Sequence, residues 1–316
     1  MPCFLGIDTS NYTTSVALWN SDNNCIEHRR KLLPVTDGAL GLRQSDAVFS
    51  HVKQMASLME DLFSHNRQIP AALGVSLYPR DASDSYMPCF LVGEMAARSI
   101  GAVLNVPVYG FSHQAGHIMA ALYSAKCMEF IDREFIAFHV SGGTTDCLLV
   151  RPSSHKVFDI TTIGTSLDLK AGQAVDRVGK LLGLSFPAGK ELDALSLHSH
   201  RHYRHKPVLK DGNCCLSGIE NICRNMSEYG ESPADIALCC IDYLGKAIEA
   251  MTAYALRFYP GLPVIYCGGV MSNTILRQRL GTRSYTFFAD TALSADNACG
   301  AALLAALRHN EGGDRH

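Results

Sequence analysis

Two stretches of this chain, about 130 residues apart, repeat one pattern. The first is Phe4-Leu5-Gly6-Ile7-Asp8-Thr9-Ser10-Asn11-Tyr12-Thr13-Thr14-Ser15-Val16-Ala17-Leu18. The second is Ile136-Ala137-Phe138-His139-Val140-Ser141-Gly142-Gly143-Thr144-Thr145-Asp146-Cys147-Leu148-Leu149-Val150. In each, an apolar run meets a short polar turn and then a second apolar run, which reads as strand, turn, strand. A further short strand follows each hairpin, around residues 25–32 and 156–162. One supersecondary unit used twice constrains the chain to two related domains. Its 316 residues are enough for two cores of about 150 residues each.

Helical patterns follow each unit. From Ser45 to Phe63, apolar residues recur at Val48, Val52, Met55, Leu58, Met59 and Leu62, the spacing of one helix face. Further helices are predicted over 91–104, 112–123, 171–182, 233–258 and 295–307, and buried strands at 71–77, 106–110, 134–140, 263–267 and 284–288. Alternating strands and helices imply an α/β protein with mixed sheets covered on both faces. The predicted organisation is a first lobe over 1–130, a second over 131–309 with a helical insertion near 185–232, and a tail at 310–316.

Charge and cysteine usage exclude several classes. Net charge is -2, so no overall basic field exists to hold nucleic acid. One local exception is His198-Ser199-His200-Arg201-His202-Tyr203-Arg204-His205-Lys206, which reads either as a phosphate-contacting patch or as a solvated loop. The twelve cysteines include no Cys-x-x-Cys pair and mostly lie in apolar segments, where a reduced cysteine acts as a small hydrophobe. There is no signal-peptide pattern and no apolar run of about 18 residues, which predicts a cytoplasmic protein.

Three glycine-rich or histidine-bearing segments carry the chemistry. Ser141-Gly142-Gly143-Thr144 comes straight off a strand, and its backbone N–H groups suit phosphate oxygens. The first-repeat turn, Asp8-Thr9-Ser10, is its expected counterpart. Paired phosphate turns of this kind predict the actin-like ATPase (ASKHA) fold, with an ATP- or AMP-type adenylate and a metal in a cleft between two lobes. Cys267-Gly268-Gly269-Val270-Met271-Ser272-Asn273 follows another strand and opens a helix, where Gly268 and Gly269 suit adenine or ribose and Asn273 a polar contact. Asp176 is a candidate for a ribose hydroxyl. His113 and His117 stand four apart on a helix, a spacing that lets two imidazoles hold one metal, with Asp296 as the candidate third ligand. A zincin-type protease needs glutamate after the first histidine; here it is Gln114, which cannot take a proton from water.

This combination resembles the TsaD/Gcp family, which transfers a threonylcarbamoyl group to adenosine in tRNA. The resemblance runs from about residue 5 to 308 through Gly-Ile-Asp-Thr-Ser at 6–10, His-x-x-x-His at 113–117 and Val-Ser-Gly-Gly at 140–143. It continues through Ala-Gly-x-Ala-x-Asp at 171–176, Gly-Gly-Val-x-x-Asn at 268–273 and Asp-Asn at 296–297. It implies one divalent metal, Fe2+ or Zn2+, held by His113, His117 and Asp296. Substrate or nucleotide contacts are implied for Val140, Ser141, Gly142, Gly143, Thr144, Asp176, Gly189 and Asn273. Implied partners are tRNA, a smaller TsaB-like paralogue or a second copy of the chain, and an ATPase subunit.

The chain departs from the family pattern at four places, as a divergent paralogue does. These are Asn11-Tyr12-Thr13-Thr14, Tyr78-Pro79-Arg80-Asp81-Ala82-Ser83-Asp84, Thr144 after Ser-Gly-Gly, and Ser217-Gly218-Ile219-Glu220 in place of Ser-Gly-Leu-Lys. The last puts an anion where a cation is usual, and repulsion of phosphate is expected there. The leading functional expectation is a metal-dependent threonylcarbamoyl transferase using threonylcarbamoyl-adenylate. The alternatives are a nucleotide-binding regulatory or partner subunit, and a carbamoyl-type transferase with another acceptor.

Overall fold

The protein's structure is a computed structural model that describes residues 2–10, 12–34, 42–82, 84–290, 293 and 298–313. Along the chain the elements are β1 (Cys3–Ser10), β2 (Thr13–Asn20), β3 (Cys25–Leu32), α1 (Gln44–Ser64), β4 (Pro70–Tyr78), α2 (Phe90–Leu104), β5 (Val108–Ser112) and α3 (His113–Ser124). There follow β6 (Phe135–Val140), β7 (Thr145–Ser153), β8 (Val157–Thr165), α4 (Ala171–Leu181), α5 (Gly189–Ser196), β9 (Val208–Lys210) and β10 (Asn213–Cys215). The chain closes with α6 (Gly218–Glu228), α7 (Pro233–Phe258), β11 (Val264–Cys267), α8 (Thr274–Leu280), β12 (Thr286–Phe288) and α9 (Ala298–Gly313).

The repeat in the sequence becomes a repeat in topology. One five-stranded sheet has the order β3-β2-β1-β4-β5 and the other β8-β7-β6-β11-β12. In both, a hairpin forms one side, and the hairpin's first strand pairs in parallel with a strand that arrives after helical chain. The apolar pattern explains why. Phe4, Leu5 and Ile7 of β1, and Ile136, Phe138 and Val140 of β6, are fully buried, as central strands covered on both faces must be.

The chain clusters into two compact units. The first is Met1–Tyr123, Pro152–Asp159 and Ala295–His316; the second is Ser124–Arg151 and Ile160–Ser294. The expected second lobe ran on to residue 309, but α9 packs on the first unit's sheet. A Cβ on Gly6 would stand 1.9 Å from the Ala298 carbonyl oxygen, and one on Gly74 2.0 Å from that of Ala301. Backbone meets backbone there, so these strand glycines are required by the helix lying on them. The stretch expected to be a helical insertion near 185–232 is only partly helical. Between α5 and α6 lie an irregular segment over 197–207 and the β9–β10 hairpin.

Ten of the twelve cysteines are buried. Among the described residues, no helix is long and apolar enough to cross a membrane.

Candidate functional site

In the first unit, chemistry gathers at the carboxyl ends of three neighbouring parallel strands. The ladders pair Ile7 of β1 with Val75 of β4, and Ser76 of β4 with Phe111 of β5. Asp8, Ser76 and His113 therefore lie at adjacent strand ends, the place where open α/β sheets take ligands. Asp8 is only 1% exposed. Its Oδ2 accepts a hydrogen bond from His113 Nδ1 at 2.8 Å, and its Oδ1 accepts the Ser10 amide at 3.0 Å. Burial alone would raise the Asp8 carboxyl. The His113 ring, the nearby Ser76 hydroxyl and the Ser10 amide outweigh that and hold it below its ordinary value, hence ionised.

An ionised acceptor requires a proton on His113 Nδ1 and fixes the orientation of the ring. Carboxylates orient metal-binding histidines in this way. The His113 and His117 rings lie 4.7 Å apart, centroid to centroid, one turn apart on α3. Below them, Gly116 of α3 meets α9, where a Cβ on Gly300 would stand 1.9 Å from the Gly116 carbonyl oxygen. Among the described residues, no group of three His, Cys, Asp or Glu gathers as a metal site. Asp296 and Asn297, like Asn11 and Ser83, lie outside the described residues. His113 and His117 are two imidazoles of the kind that bind a divalent cation, and Asp8 stands behind His113 on its Nδ1.

The expected phosphate turn at Asp8, Thr9 and Ser10 is corrected. All three residues belong to β1, with Ser10 paired to Thr13 at the start of β2. Thr9 is buried: its hydroxyl donates to the Cys89 carbonyl at 3.0 Å and accepts the Gly93 amide at 3.1 Å, tying β1 to the start of α2.

In the second unit, Val140 ends β6, and Ser141–Thr144 form the loop to β7. The loop closes on itself where the Ser141 amide donates to the Thr144 carbonyl at 2.8 Å. Gly142 and Gly143 have open space where a side chain would stand. Behind them sits the N-terminus of α4: the Gly172 amide donates to the Ser141 carbonyl at 3.1 Å, and the Ala171 amide to Thr145 Oγ1 at 2.8 Å. A Cβ on Gly172 would come within 2.6 Å of the Gly142 backbone. On the other side Gly268, at φ +95°, presses on the Val140 carbonyl, 2.3 Å from where its Cβ would be. Two strand ends and a helix N-terminus thus meet at one exposed glycine loop, a setting that favours phosphate.

The remaining expected contacts have structural partners. Asp176 Oδ1 accepts the Ala188 amide at 2.9 Å, bracing the turn that leads into Gly189 and α5, and burial raises its carboxyl. Asn273 Oδ1 accepts the Ile275 and Leu276 amides, both at 3.0 Å, and so caps α8. Glu220 does not project an unopposed anion. Arg177 and Arg224 each donate to it at 2.8 Å, so the expected repulsion of phosphate is cancelled locally.

Sequence reasoning missed Asp168. Its carboxylate accepts the Leu169, Leu216 and Ser217 amides and the Ser217 hydroxyl, at 2.6–3.1 Å. Burial alone would raise it, but these bonds bring it to about 2. A depressed carboxylate contributes its stability above the unfolded value, near pH 4, and loses it as pH falls toward 2. Asp168→Asn is therefore expected to lower the urea midpoint at neutral pH, with variant and parent converging near pH 2. Equal midpoints at pH 7 would refute the clamp. The partnership of Asp8 with His113 was also missed, because nothing local links residues 105 apart.

Comparisons with known proteins agree with this architecture. The profile of the TsaD family, described as tRNA N6-adenosine threonylcarbamoyltransferase, matches residues 86–303. A protein of that name from Buchnera aphidicola subsp. Schizaphis graminum is 26% identical over 97% of this chain and 93% of its own length. One from Aromatoleum aromaticum is 30% identical over 96% and 90%. Among solved structures, full-length HypF in its phosphate- and nucleotide-bound form superposes with a TM-score of 0.61 at 13% identity, over 96% of this chain and 55% of HypF. The activator of 2-hydroxyisocaproyl-CoA dehydratase from Clostridium difficile gives 0.56 at 13%, over 99% and 98%. A ROK family glucokinase from Streptomyces griseus gives 0.56 at 10%, over 96% and 99%. These structures establish the fold, the actin-like ATPase fold of sugar kinases and dehydratase activators. The match over more than half the chain, with the His113–His117 pair and the Ser141–Thr144 loop in place, makes this protein a member of the TsaD family of tRNA N6-adenosine threonylcarbamoyltransferases, an acyltransferase family.

Proposed function

We propose that this chain transfers a threonylcarbamoyl group from threonylcarbamoyl-adenylate to the exocyclic amine of a tRNA adenosine. The bond from the carbamoyl carbon to the phosphate oxygen breaks, a carbon–nitrogen bond forms, and AMP leaves with the electron pair as the amine gives up a proton. The observation that carries this reading is the Asp8-oriented His113, one turn from His117, within a chain of this family.

The chain's own residues have distinct parts in it. The backbone of Ser141–Thr144 and the N-terminus of α4 receive the adenylate phosphate, whose charge grows as AMP departs. Gly269, with open space where a side chain would stand, leaves room for the nucleoside, while Gly268 packs on the Val140 backbone. Asp176 acts by bracing the Ala188–Gly189 turn. Asp8 holds His113 in one orientation, so that His113 and His117, with Asp296 two residues before α9, would hold a divalent cation; iron and zinc both accept this donor set. When bound, such a cation polarises a carbonyl or phosphate oxygen. Exposed apolar side chains on α1 (Phe49 and Val52) and on α2 (Leu91, Met95 and Val103) support association with a second protein.

The full chain, supplied with partners of this family and threonylcarbamoyl-adenylate, is expected to modify tRNA, read by mass spectrometry of the nucleosides. No product under conditions where a relative works would end the reading. Gly143→Ala adds the finer test. Its methyl would stand in open space, so the melting temperature should not move. The affinity for adenine nucleotides should fall by roughly tenfold, because a phosphate could no longer reach the backbone. Unchanged affinity would place the phosphate elsewhere.

A further inference from the structure

Between α5 and β9 the chain runs through residues 197–207 without regular structure, yet it is held along its length. Ser199 Oγ donates to Asp235 Oδ1 at 2.5 Å, and the Tyr203 hydroxyl donates to the Asp235 carbonyl at 2.8 Å. Lys246 of α7 donates to the Tyr203 carbonyl. The Tyr203 and His205 rings stack at 5.3 Å with 4° between planes, and His205 meets Tyr243 edge-on at 5.4 Å. His205 Nε2 also lies 3.4 Å from Cys239 Sγ. Arg201 is paired with Glu231.

These anchors sit on odd-numbered residues. The even-numbered ones, His198, His200, His202, Arg204 and Lys206, are all exposed. Alternation of this kind belongs to an extended chain laid on a surface, where every second side chain projects outward about 6–7 Å from the next. From His198 to Lys210 the chain contains no Asp or Glu. On a protein of net charge -2, this is a local ridge of imidazole, guanidinium and ammonium groups. Tyr229, at the end of α6 and two residues before the Glu231 that holds Arg201, is 87% exposed.

We propose that this strap, residues 198–206 with Lys210 and Tyr229, is a docking surface for the sugar-phosphate backbone of RNA. Arg204, Lys206 and Lys210 supply cations and the exposed imidazoles supply hydrogen bonds for a row of phosphates, and an exposed tyrosine beside them offers a stacking face for an unpaired base. An acidic protein segment would use the cations but gain little from that ring. The anchors supply preorganisation: the strap is already fixed on α7, so binding need not order it. Its continuation is tied to the segment before α4, whose N-terminus stands behind the second unit's glycine loop. The Leu167 amide donates to the Cys214 carbonyl at 2.9 Å, joining β10 to the segment that opens α4. The proposal rests on the tRNA reading above and assigns it a surface.

The test is binding of an unmodified tRNA transcript to the full chain across a range of KCl concentrations. Arg204→Glu with Lys206→Glu is expected to weaken binding about tenfold or more. The slope of log affinity against log salt should shrink by about two. Tyr229→Ala is expected to weaken binding by roughly tenfold with the slope unchanged, because stacking releases no counterions. All three substitutions are exposed and lie outside the phosphate loop and histidine pair, so adenine-nucleotide affinity should be unaltered. If the charge-reversed variant binds tRNA with parental affinity and slope while the parent still modifies tRNA, the strap is refuted and the transfer reading stands. If the parent neither binds nor modifies tRNA, both fail. If polyglutamate displaces tRNA at equal charge concentration and Tyr229→Ala changes nothing, the surface serves an acidic protein, and the RNA assignment is overturned.

Discussion

Asp8→Ala is expected to lower threonylcarbamoyl transfer by about 10–100-fold, with a matching loss of bound metal, although Asp8 touches neither substrate nor cation in the reading proposed here. The carboxylate acts through His113. Its Oδ2 fixes the proton on Nδ1 at 2.8 Å, and without it the ring is free to rotate or change tautomer. The effect on stability should be smaller than the effect on rate. Losing the acceptor for the half-buried His113 and Ser10 donors costs at most about 1–3 kcal/mol. Removing a fully buried anion returns part of its desolvation cost, which offsets that loss. Asp8→Asn, which keeps the size and one acceptor but not the charge, should fall between parent and Asp8→Ala. Metal content by plasma emission, measured on protein purified without a histidine tag, separates the two effects. A variant that keeps its metal and loses activity only near its melting temperature would make Asp8 a purely structural residue.

Gly300→Ala is expected to be, with Gly6→Ala and Gly74→Ala, among the most destabilising single methyls in the first unit. The new Cβ would stand 1.9 Å from the Gly116 carbonyl oxygen and 2.6 Å from its carbon, so no side chain can give way. Only α9 or α3 can move. Overpacking of this kind costs about 3 kcal/mol, which lowers the melting temperature of a unit of this size by roughly 6–12 °C. The consequence extends to function, because Gly116 lies between His113 and His117, and displacing α3 moves both imidazoles. Thermal unfolding followed by circular dichroism checks the first part, and metal content at 20 °C below the new midpoint checks the second. A shift under 2 °C would mean that the crossing is looser than the structure gives. Gly143→Ala is the control of the same chemistry, one methyl on a glycine, with the opposite expectation for stability.

These two results bear on how a divergent sequence retains a site. Four segments depart from the family pattern, and one brings an acid, Glu220, where the pattern has a base. The structure surrounds that acid with Arg177 and Arg224, so the local charge is not inverted. Asp168 holds the same segment from the other side through the Leu216 and Ser217 amides. The substituted segment is a fixed part of the second unit, held by Asp168 on one side and by two arginines on the other.

Much of this was legible from residue patterns because the forces involved are local. Apolar runs on either side of a polar turn placed β1, β2, β6 and β7, and a helical spacing of apolar residues placed α1. The i, i+4 spacing placed His113 and His117 on one helix face, since a helix geometry fixes that distance wherever it occurs. The glycine turn at 141–144 was readable for the same reason. Other features depend on which strands become neighbours. The order β1-β4-β5 brings Asp8 beside His113, converting an expected phosphate ligand into the histidine's orienting partner. The folding of α9 onto the first unit's sheet decides that Gly6, Gly74 and Gly300 are packing glycines while Gly142 and Gly143 face open space. Periodicity reports the environment a side chain needs, solvent or core. The identity of the neighbour that supplies it is settled only when distant segments meet.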